Sequence, residues 1–458
     1  MRSKRMYFNA FRMNCVTHMS PGLWTREDDH MVDYTSLKHW TEFAKLLERG
    51  CFDAVFLADV VGPYDVYAGN RDATLREATH LPINDPMLLV PAMAAVTEHL
   101  GFGYTSSIMQ YHPFTFARLI STLDHLTRGR VAWNIVTSFT KSAARNYGLS
   151  NLPDHDVRYA MADEYTRLCY RLWEESWADD AVVKDKQRGI YADPRKVRDI
   201  DHDGEYYSVH GCHICEPSPQ RTPVLFQAGA SERGTAFAAE NAECVFVIGA
   251  NPQVAGDYAR TVRAKMANFQ RRAEDVLCFA YMKVITGSTE AEAKAKYEEY
   301  LSEVSYEGAM ALLCAWTGID FSHLDPDQPI EYIDTNAVRT VLHSFTAGDT
   351  SRRWTLRDVA RFVGIGGAGP VLIGAPEQIA DTLEEWVAQG IDGFNLSYAT
   401  LPATYEDFID GVVPVLQRRG RMQRDYERGT LREKLFPGRL PRIEAPHPAA
   451  ACRYPGAV

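Results

Sequence analysis

The chain has 458 residues, 60 acidic against 49 basic, and a formal net charge of −11. An acidic chain without a basic run has no electrostatic footprint for nucleic acid or an anionic membrane. Hydrophobic residues make up 46%, enough for a large core, yet no apolar run approaches the roughly 20 residues of a membrane span and no apolar stretch follows the basic start "MRSKRMYF", so neither a membrane helix nor a signal peptide is expected.

In chain order, "MYFNAF" (6–11) reads as a first strand. Residues 36–50 read as a helix with Leu37, Trp40, Phe43, Ala44 and Leu47 on one face and Gly50 as its stop. "DAVFLAD" (53–59) is a buried strand. Residues 85–101 predict a helix with Asp85 as N-cap and Pro86 at the first position. A third strand (102–108), a helix (114–129), a fourth strand (130–137) and a long helix (157–177) follow. Strands at 223–229, 243–249 and 277–287 alternate with helical stretches. After an irregular piece at 305–370 come a helix (376–390), a last strand (392–398) and a closing helix (404–420).

Eight strands that read as near-continuous apolar runs, nearly all followed by helices, are buried on both faces as in a parallel sheet. They predict an α/β fold, a closed (β/α)8 TIM barrel over residues 1–442. The residues beyond a barrel's needs fall near 60–84, 178–222 and 305–370, expected as insertions without cores of their own, and 443–458 as a C-terminal arm. Nine scattered cysteines, an odd number, suggest reduced thiols and a cytoplasmic setting. Of these, Cys51, Cys169, Cys244 and Cys278 read as core. The single "CHIC" knuckle at 212–215 has no second ligand pair, so no metal site is expected. Residues 196–209 read as a hairpin.

In such barrels chemistry lies at the C-terminal ends of the strands. The residues there are mostly amides, hydroxyls and aromatics: Ser107 and Gln110, Thr137 and Phe139, Gln227 to Ser231, Asn395 and Ser397. They have few carboxylates and no dense ligand cluster, which suits a planar cofactor that carries its own chemistry. "QAGASERG" (227–234) places small residues before a helix start, a site for an anion, with Ser231 as N-cap or phosphate ligand. His155 and Tyr159, four apart in "HDVRY", share a helix face. Cys15 and His18 stand at C-x-x-H spacing after the first strand; a metal half-site, a thiolate with its base, and a polar pocket rim are all open. "GIGGAG" (364–369) does not open a helix, so no nicotinamide site is expected.

"FLADVVGPYDVY", "STLDHLTRGRVAWNIVTS", "HDVRYAMADEY", "CEPSPQRTPVLFQAGASERG" and "DGFNLSY" together resemble the luciferase-like, reduced-flavin-dependent monooxygenases. The resemblance runs from Asn9 to about Arg442. It is nearest to the branch of the nitrilotriacetate and dibenzothiophene-sulfone monooxygenases, and within it to the alkane and dimethyl-sulfide enzymes. It implies an insertion-bearing bacterial-luciferase-like barrel, a homodimer or homotetramer, and reduced FMN supplied by a separate NAD(P)H:flavin reductase. O2, activated on the flavin, would oxygenate or cleave a small organic molecule: an organosulfur compound, an alkane, a heterocycle or a flavin such as riboflavin. It further implies FMN contacts from Asp59, Ser106, Asn134, Thr137, His155, Tyr159, Ala230 and Ser231, with Tyr159 and Ser231 on the phosphate. Cys15, His18, Tyr64 and His80 would be the catalytic group, and Met13, Phe139 and Leu312 the substrate wall. Phe139 and Leu312 stand where the alkane enzyme has histidines, which argues for a different substrate. A strained peptide is implied around 104–107, and a lid over 305–370 that includes "FTAGDTS". Two other readings stay open: a deazaflavin-dependent hydride-transfer enzyme on the same barrel, and a flavin-binding protein without turnover.

Overall fold

Every residue of the first strand, β1 (Tyr7–Met13), is buried, because one face packs inside a barrel and the other under helices. The computed structural model describes residues 5–329 and 353–454. Among these, β1, β2 (Ala54–Ala58), β3 (Gly101–Ser107), β4 (Val131–Val136), two hairpins made of β5 (Val182–Asp185) with β6 (Ile190–Ala192) and β7 (Ile200–Asp203) with β8 (Ser208–Gly211), then β9 (Val224–Gln227), β10 (Cys244–Val247), β11 (Leu277–Thr286), β12 (Val371–Gly374) and β13 (Gly393–Ser397) follow in order. The ring runs β1, β2, β3, β4, β9, β10, β11, β13 and back to β1, with every pairing parallel. This is the expected (β/α)8 barrel. The upper half of the long β11 also pairs with β12, from Lys283 opposite Val371 to Thr286 opposite Gly374.

Alternate strand residues fill the barrel. Tyr7, Phe11, Phe56, Phe226, Phe246, Phe279 and Tyr281 form an aromatic stack there, with Phe56 and Phe226 rings 5.2 Å apart. Leu431, Leu435 and Phe436 close it at the N-terminal ends of the strands, where Leu431 packs on Gly101. Beside that plug the buried Arg432 donates to both oxygens of Glu243, at 2.7 and 2.9 Å. That end reads as stability and leaves the opposite mouth for chemistry.

The structure corrects several expectations. The helix expected over 85–101 is a short turn, Pro86–Leu88, and one helix, Leu89–Ala94, although Asp85 does cap it by accepting from Met87 N at 2.8 Å. Glu48 Oε1 takes the N–H groups of Glu98, His99 and Leu100, and Arg130 takes the carbonyls of Ala94, Thr97 and Leu100, so side chains replace the next helical turn. Leu37 begins its helix but is exposed. The closing helix carries a π turn, Phe408–Val412, just before Pro414, which lacks an N–H to donate. The piece expected to be irregular holds two helices, Tyr306–Thr317 and Leu356–Gly366. These pack with Tyr64 into a second apolar cluster, so this insertion does have a core. Residues 345–351, "FTAGDTS", lie outside the described residues. At the other end, Ile443, His447 and Ala449 are buried, and His447 Nε2 donates to Asn241 O at 2.8 Å, which docks the C-terminal segment onto the barrel. Residues 104–107 are regular strand, with no cis bond and no positive φ. No helix of the described residues is long and apolar enough to cross a membrane.

Candidate active site

At the mouth, the ends of β2, β4 and β9 surround a cleft of about 410 Å³. Its far corner is built by two helix starts. Ser231 caps the helix Glu232–Asn241, its Oγ accepting from Gly234 N at 2.9 Å, so that the first N–H groups of that helix face the cleft. His155 opens the helix His155–Tyr170, and its Nε2 lies 3.1 Å from Ser231 Oγ. One turn later comes Tyr159, with its ring 5.0 Å from that of His155. A Cβ on Gly229 or Gly234 would come within 2.8 or 2.7 Å of the Tyr159 hydroxyl, so those positions must be glycine for Tyr159 to lie there. Arg158 lines the same corner. Its Nη1 donates to Pro153 O at 2.6 Å, and its Nε is buried without a partner among the described residues. Two hydroxyls, an imidazole, a guanidinium and a helix start form a donor set that fits one terminal phosphate. Sequence reasoning missed Arg158, although it stands inside the "HDVRY" motif next to Tyr159.

At the other end of the cleft, Asp59 Oδ2 accepts from Gln110 Nε2 at 2.9 Å. Gln110 Oε1 in turn accepts from Ser106 Oγ at 2.9 Å and Ser107 N at 2.6 Å. Burial, opposed by the Gln110 hydrogen bond and aided by Asp85, pushes the Asp59 carboxyl up to about 7. Thr137, Phe139 and Ala230 line the cleft. Ser106 and Asn134 do not: Ser106 acts through Gln110, while Asn134 lies inside the barrel and donates to Thr105 Oγ1 at 3.0 Å. Gln227 reaches the cleft from β9, and its Oε1 has no partner among the described residues.

Beside the cleft the fold brings Cys15, His18, Tyr64 and His80 together, all buried. Residues 15 and 17 bridge to 83 and 79, so the loop after β1 is held by the first insertion. His18 meets Phe11 at 4.6 Å, His80 at 5.6 Å and Tyr398 at 6.4 Å between ring centres. His80 Nε2 donates to the His18 carbonyl at 2.6 Å. The Tyr64 ring lies tilted against that of His80 at 4.8 Å, is 6.4 Å from Phe139, and faces the indole N–H of Trp316. Met13 and Leu312 are buried, and Leu312 packs in one cluster with Tyr64. Burial first, then the charges of His80, Lys283 and Arg12, holds His18 well below the usual histidine range; burial brings His80 down to about 4. Both rings are therefore neutral at neutral pH.

Burial pushes the Cys15 thiol far up, and its hydrogen goes to the Thr17 carbonyl at 3.2 Å. A nucleophilic cysteine needs the thiolate, so the thiolate-and-base reading of the C-x-x-H pair falls. Among the described residues no three potential metal ligands converge. The pair is a neutral wall. "GIGGAG" ends the helix Leu356–Gly366 and packs on the barrel: Tyr281 donates to Gly366 O at 2.9 Å, and a Cβ on Gly367, at φ +66°, would meet that hydroxyl at 2.6 Å.

The sequence pattern of the family described as luciferase-like monooxygenase matches residues 15–393. The dimethyl-sulfide monooxygenase of Hyphomicrobium sulfonivorans is 51% identical over 98% of this chain and 94% of its own. The long-chain alkane monooxygenase of Geobacillus thermodenitrificans is 44% identical over 98% of each. The crystal structure of DmoA from Hyphomicrobium sulfonivorans superposes with a TM-score of 0.94, at 50% identity, over 98% of this chain and 96% of that one.

Proposed function

The chain belongs to the luciferase-like monooxygenase family, and on that premise we propose that it uses reduced FMN from a separate NAD(P)H:flavin reductase, and O2, to oxygenate a small uncharged substrate of the organosulfur or alkane class. The observation that carries this reading is the phosphate corner of Ser231, Tyr159, His155 and Arg158, beside a buried cluster whose two histidines are both neutral. The flavin, when bound, supplies the redox chemistry and the activation of oxygen. Ser231, Tyr159, His155 and Arg158 hold its phosphate, and Asp59, braced by Gln110, meets the polar groups nearer the ring.

The rest of the chain's work is exclusion and orientation. Met13 and Leu312 are buried behind the cluster, and Phe139 stands on the cleft beside it, where a bound flavin and substrate would cover it and keep water out. His18 and Tyr64 orient the substrate as neutral donors or acceptors, and Cys15 shapes the wall. A buried cluster that holds both of its histidines uncharged offers an anionic substrate no imidazolium to pair with. The sequence has no G-x-G-x-x-G after a strand, which supports an external source of reducing equivalents. The test is NADH oxidation by the purified protein with FMN: turnover is expected only when a flavin reductase is added, and steady NADH oxidation without it would contradict the two-component reading.

A further inference from the structure

Lys283 joins the two halves of β11: it is the last residue paired with β13 and the first paired with β12. The alternation that puts Phe279 and Tyr281 inside the barrel sends its side chain into the mouth, where it is fully buried. Its Nζ donates to Ser20 Oγ at 2.5 Å and to Met19 O at 3.3 Å. Among the described residues it makes no ion pair. An ammonium has three N–H donors and an amine two, so the two acceptors present match the amine. Burial alone brings it down to about 7.

The Ser20 hydroxyl donates onward to the Tyr398 carbonyl at 3.1 Å. Contacts thus run from Lys283 through Ser20 to the residue after β13 and fasten the turn that follows His18. The His18 ring needs such fastening, because neither of its nitrogens makes a hydrogen bond of good geometry.

We propose that Lys283 is a positioning residue for the buried cluster of Cys15, His18, Tyr64 and His80: it fixes the turn at Met19 and Ser20 and, through it, the orientation and charge state of His18. The groups that bear on His18 come from three elements. Arg12 on β1, His80 in the first insertion and Lys283 on β11 each oppose its protonation, and only the Phe11 carbonyl favours it. The other titratable neighbours, Cys15, Tyr64, Tyr281 and Tyr398, are held protonated by burial and add no charge at neutral pH. Below about pH 7 Lys283 takes up a proton, and the resulting charge keeps His18 neutral further into acid.

The consequence for catalysis rests on the monooxygenase reading; the claim about His18 does not, and it is tested on the protein without cofactor. Histidine side chains labelled with ¹⁵N report tautomer and protonation for each ring. In the wild type, His18 is expected in one tautomer and neutral at neutral pH, titrating only well below the usual histidine range. Lys283→Gln keeps a donor for Ser20 and Met19 but carries no charge; it should keep the tautomer and raise the His18 midpoint by about one pH unit, a tenfold change in proton affinity. Lys283→Met should raise the midpoint and also mix the tautomers. If Lys283→Met does not fold, the midpoint shift in Lys283→Gln decides alone. A folded Lys283→Gln whose His18 titrates as in the wild type overturns the proposal. In the enzyme with its reductase, Lys283→Met should release more H2O2 per NADH, with partial recovery in Lys283→Gln. An enzyme that oxygenates nothing, yet shows the His18 shift, would sink the functional reading and leave this one standing.

Discussion

His155 Nε2 and Ser231 Oγ lie 3.1 Å apart although 76 residues separate them, because two helices start at the same corner of the cleft. On the proposed reading, that meeting makes a phosphate site from two segments. Ser231→Ala combined with Tyr159→Phe should weaken FMN binding by about 1–3 kcal/mol, as expected for losing two hydrogen bonds of ordinary strength in a solvent-accessible cleft, and leave riboflavin binding nearly unchanged. A cofactor titration that finds riboflavin and FMN bound equally by the wild type would remove the phosphate site.

The same corner depends on glycine. In Gly234→Ala the new Cβ would lie 2.7 Å from the Tyr159 hydroxyl, so the ring must move off the phosphate position. FMN affinity should fall at least as far as in Tyr159→Phe, while the melting temperature drops only slightly because the clash is with the far end of a side chain. Unchanged FMN affinity in Gly234→Ala would place the phosphate elsewhere.

Asp59 gives a pH dependence. Its folded value, about 7, lies above the ordinary carboxyl value near 3.8, so the folded cleft prefers the neutral acid. Its contribution to stability is therefore complete below the ordinary value and is lost as pH rises through about 7. Asp59→Asn should be relatively more stable than the wild type above pH 7. FMN affinity should also weaken as pH rises through that point, because the new carboxylate repels an anionic cofactor. The FMN phosphate titrates nearby with the opposite effect, so the comparison that decides is the wild type against Asp59→Asn. Parallel pH profiles for the two would show that Asp59 does not titrate in this range.

His18→Ala should lower product formed per NADH and raise H2O2 release with little change in FMN affinity, since His18 lies beside the cleft rather than on it. Cys15→Ser should be milder, because it keeps the side chain's size and its hydrogen bond to Thr17. Intact coupling in His18→Ala would make the pair structural and turn attention to Tyr64 and His80.

The barrel was legible because its strands are apolar on both faces, a pattern that survives without any knowledge of partners. Ser231 and Tyr159 were legible for a similar reason: a cap and a one-turn spacing are local. What escaped was carried by contacts distant in sequence. The helix over 85–101 stops early because Glu48 and Arg130, from other elements, take its backbone groups. The helices Tyr306–Thr317 and Leu356–Gly366 read as irregular because their apolar faces meet mainly each other and Tyr64, a pairing that no single segment announces. Ser106 points away from the cleft because Ser107 points into it, a one-residue difference in strand register that periodicity alone leaves open. Lys283 went unremarked because a lysine in an apolar run looks like a strand's edge until the barrel closes around it.

The central claim is that this protein inserts oxygen from O2 into a small uncharged substrate with flavin reduced elsewhere. Product formed under ¹⁸O2, with reductase, FMN and NADH, from dialkyl sulfides, n-alkanes and riboflavin as separate arms, tests it most directly by mass spectrometry. The account predicts one ¹⁸O atom in a product of the sulfide or alkane arm, formed only with reductase present. H2O2 as the sole oxygen product in those two arms, or label appearing only in a riboflavin product, would contradict it.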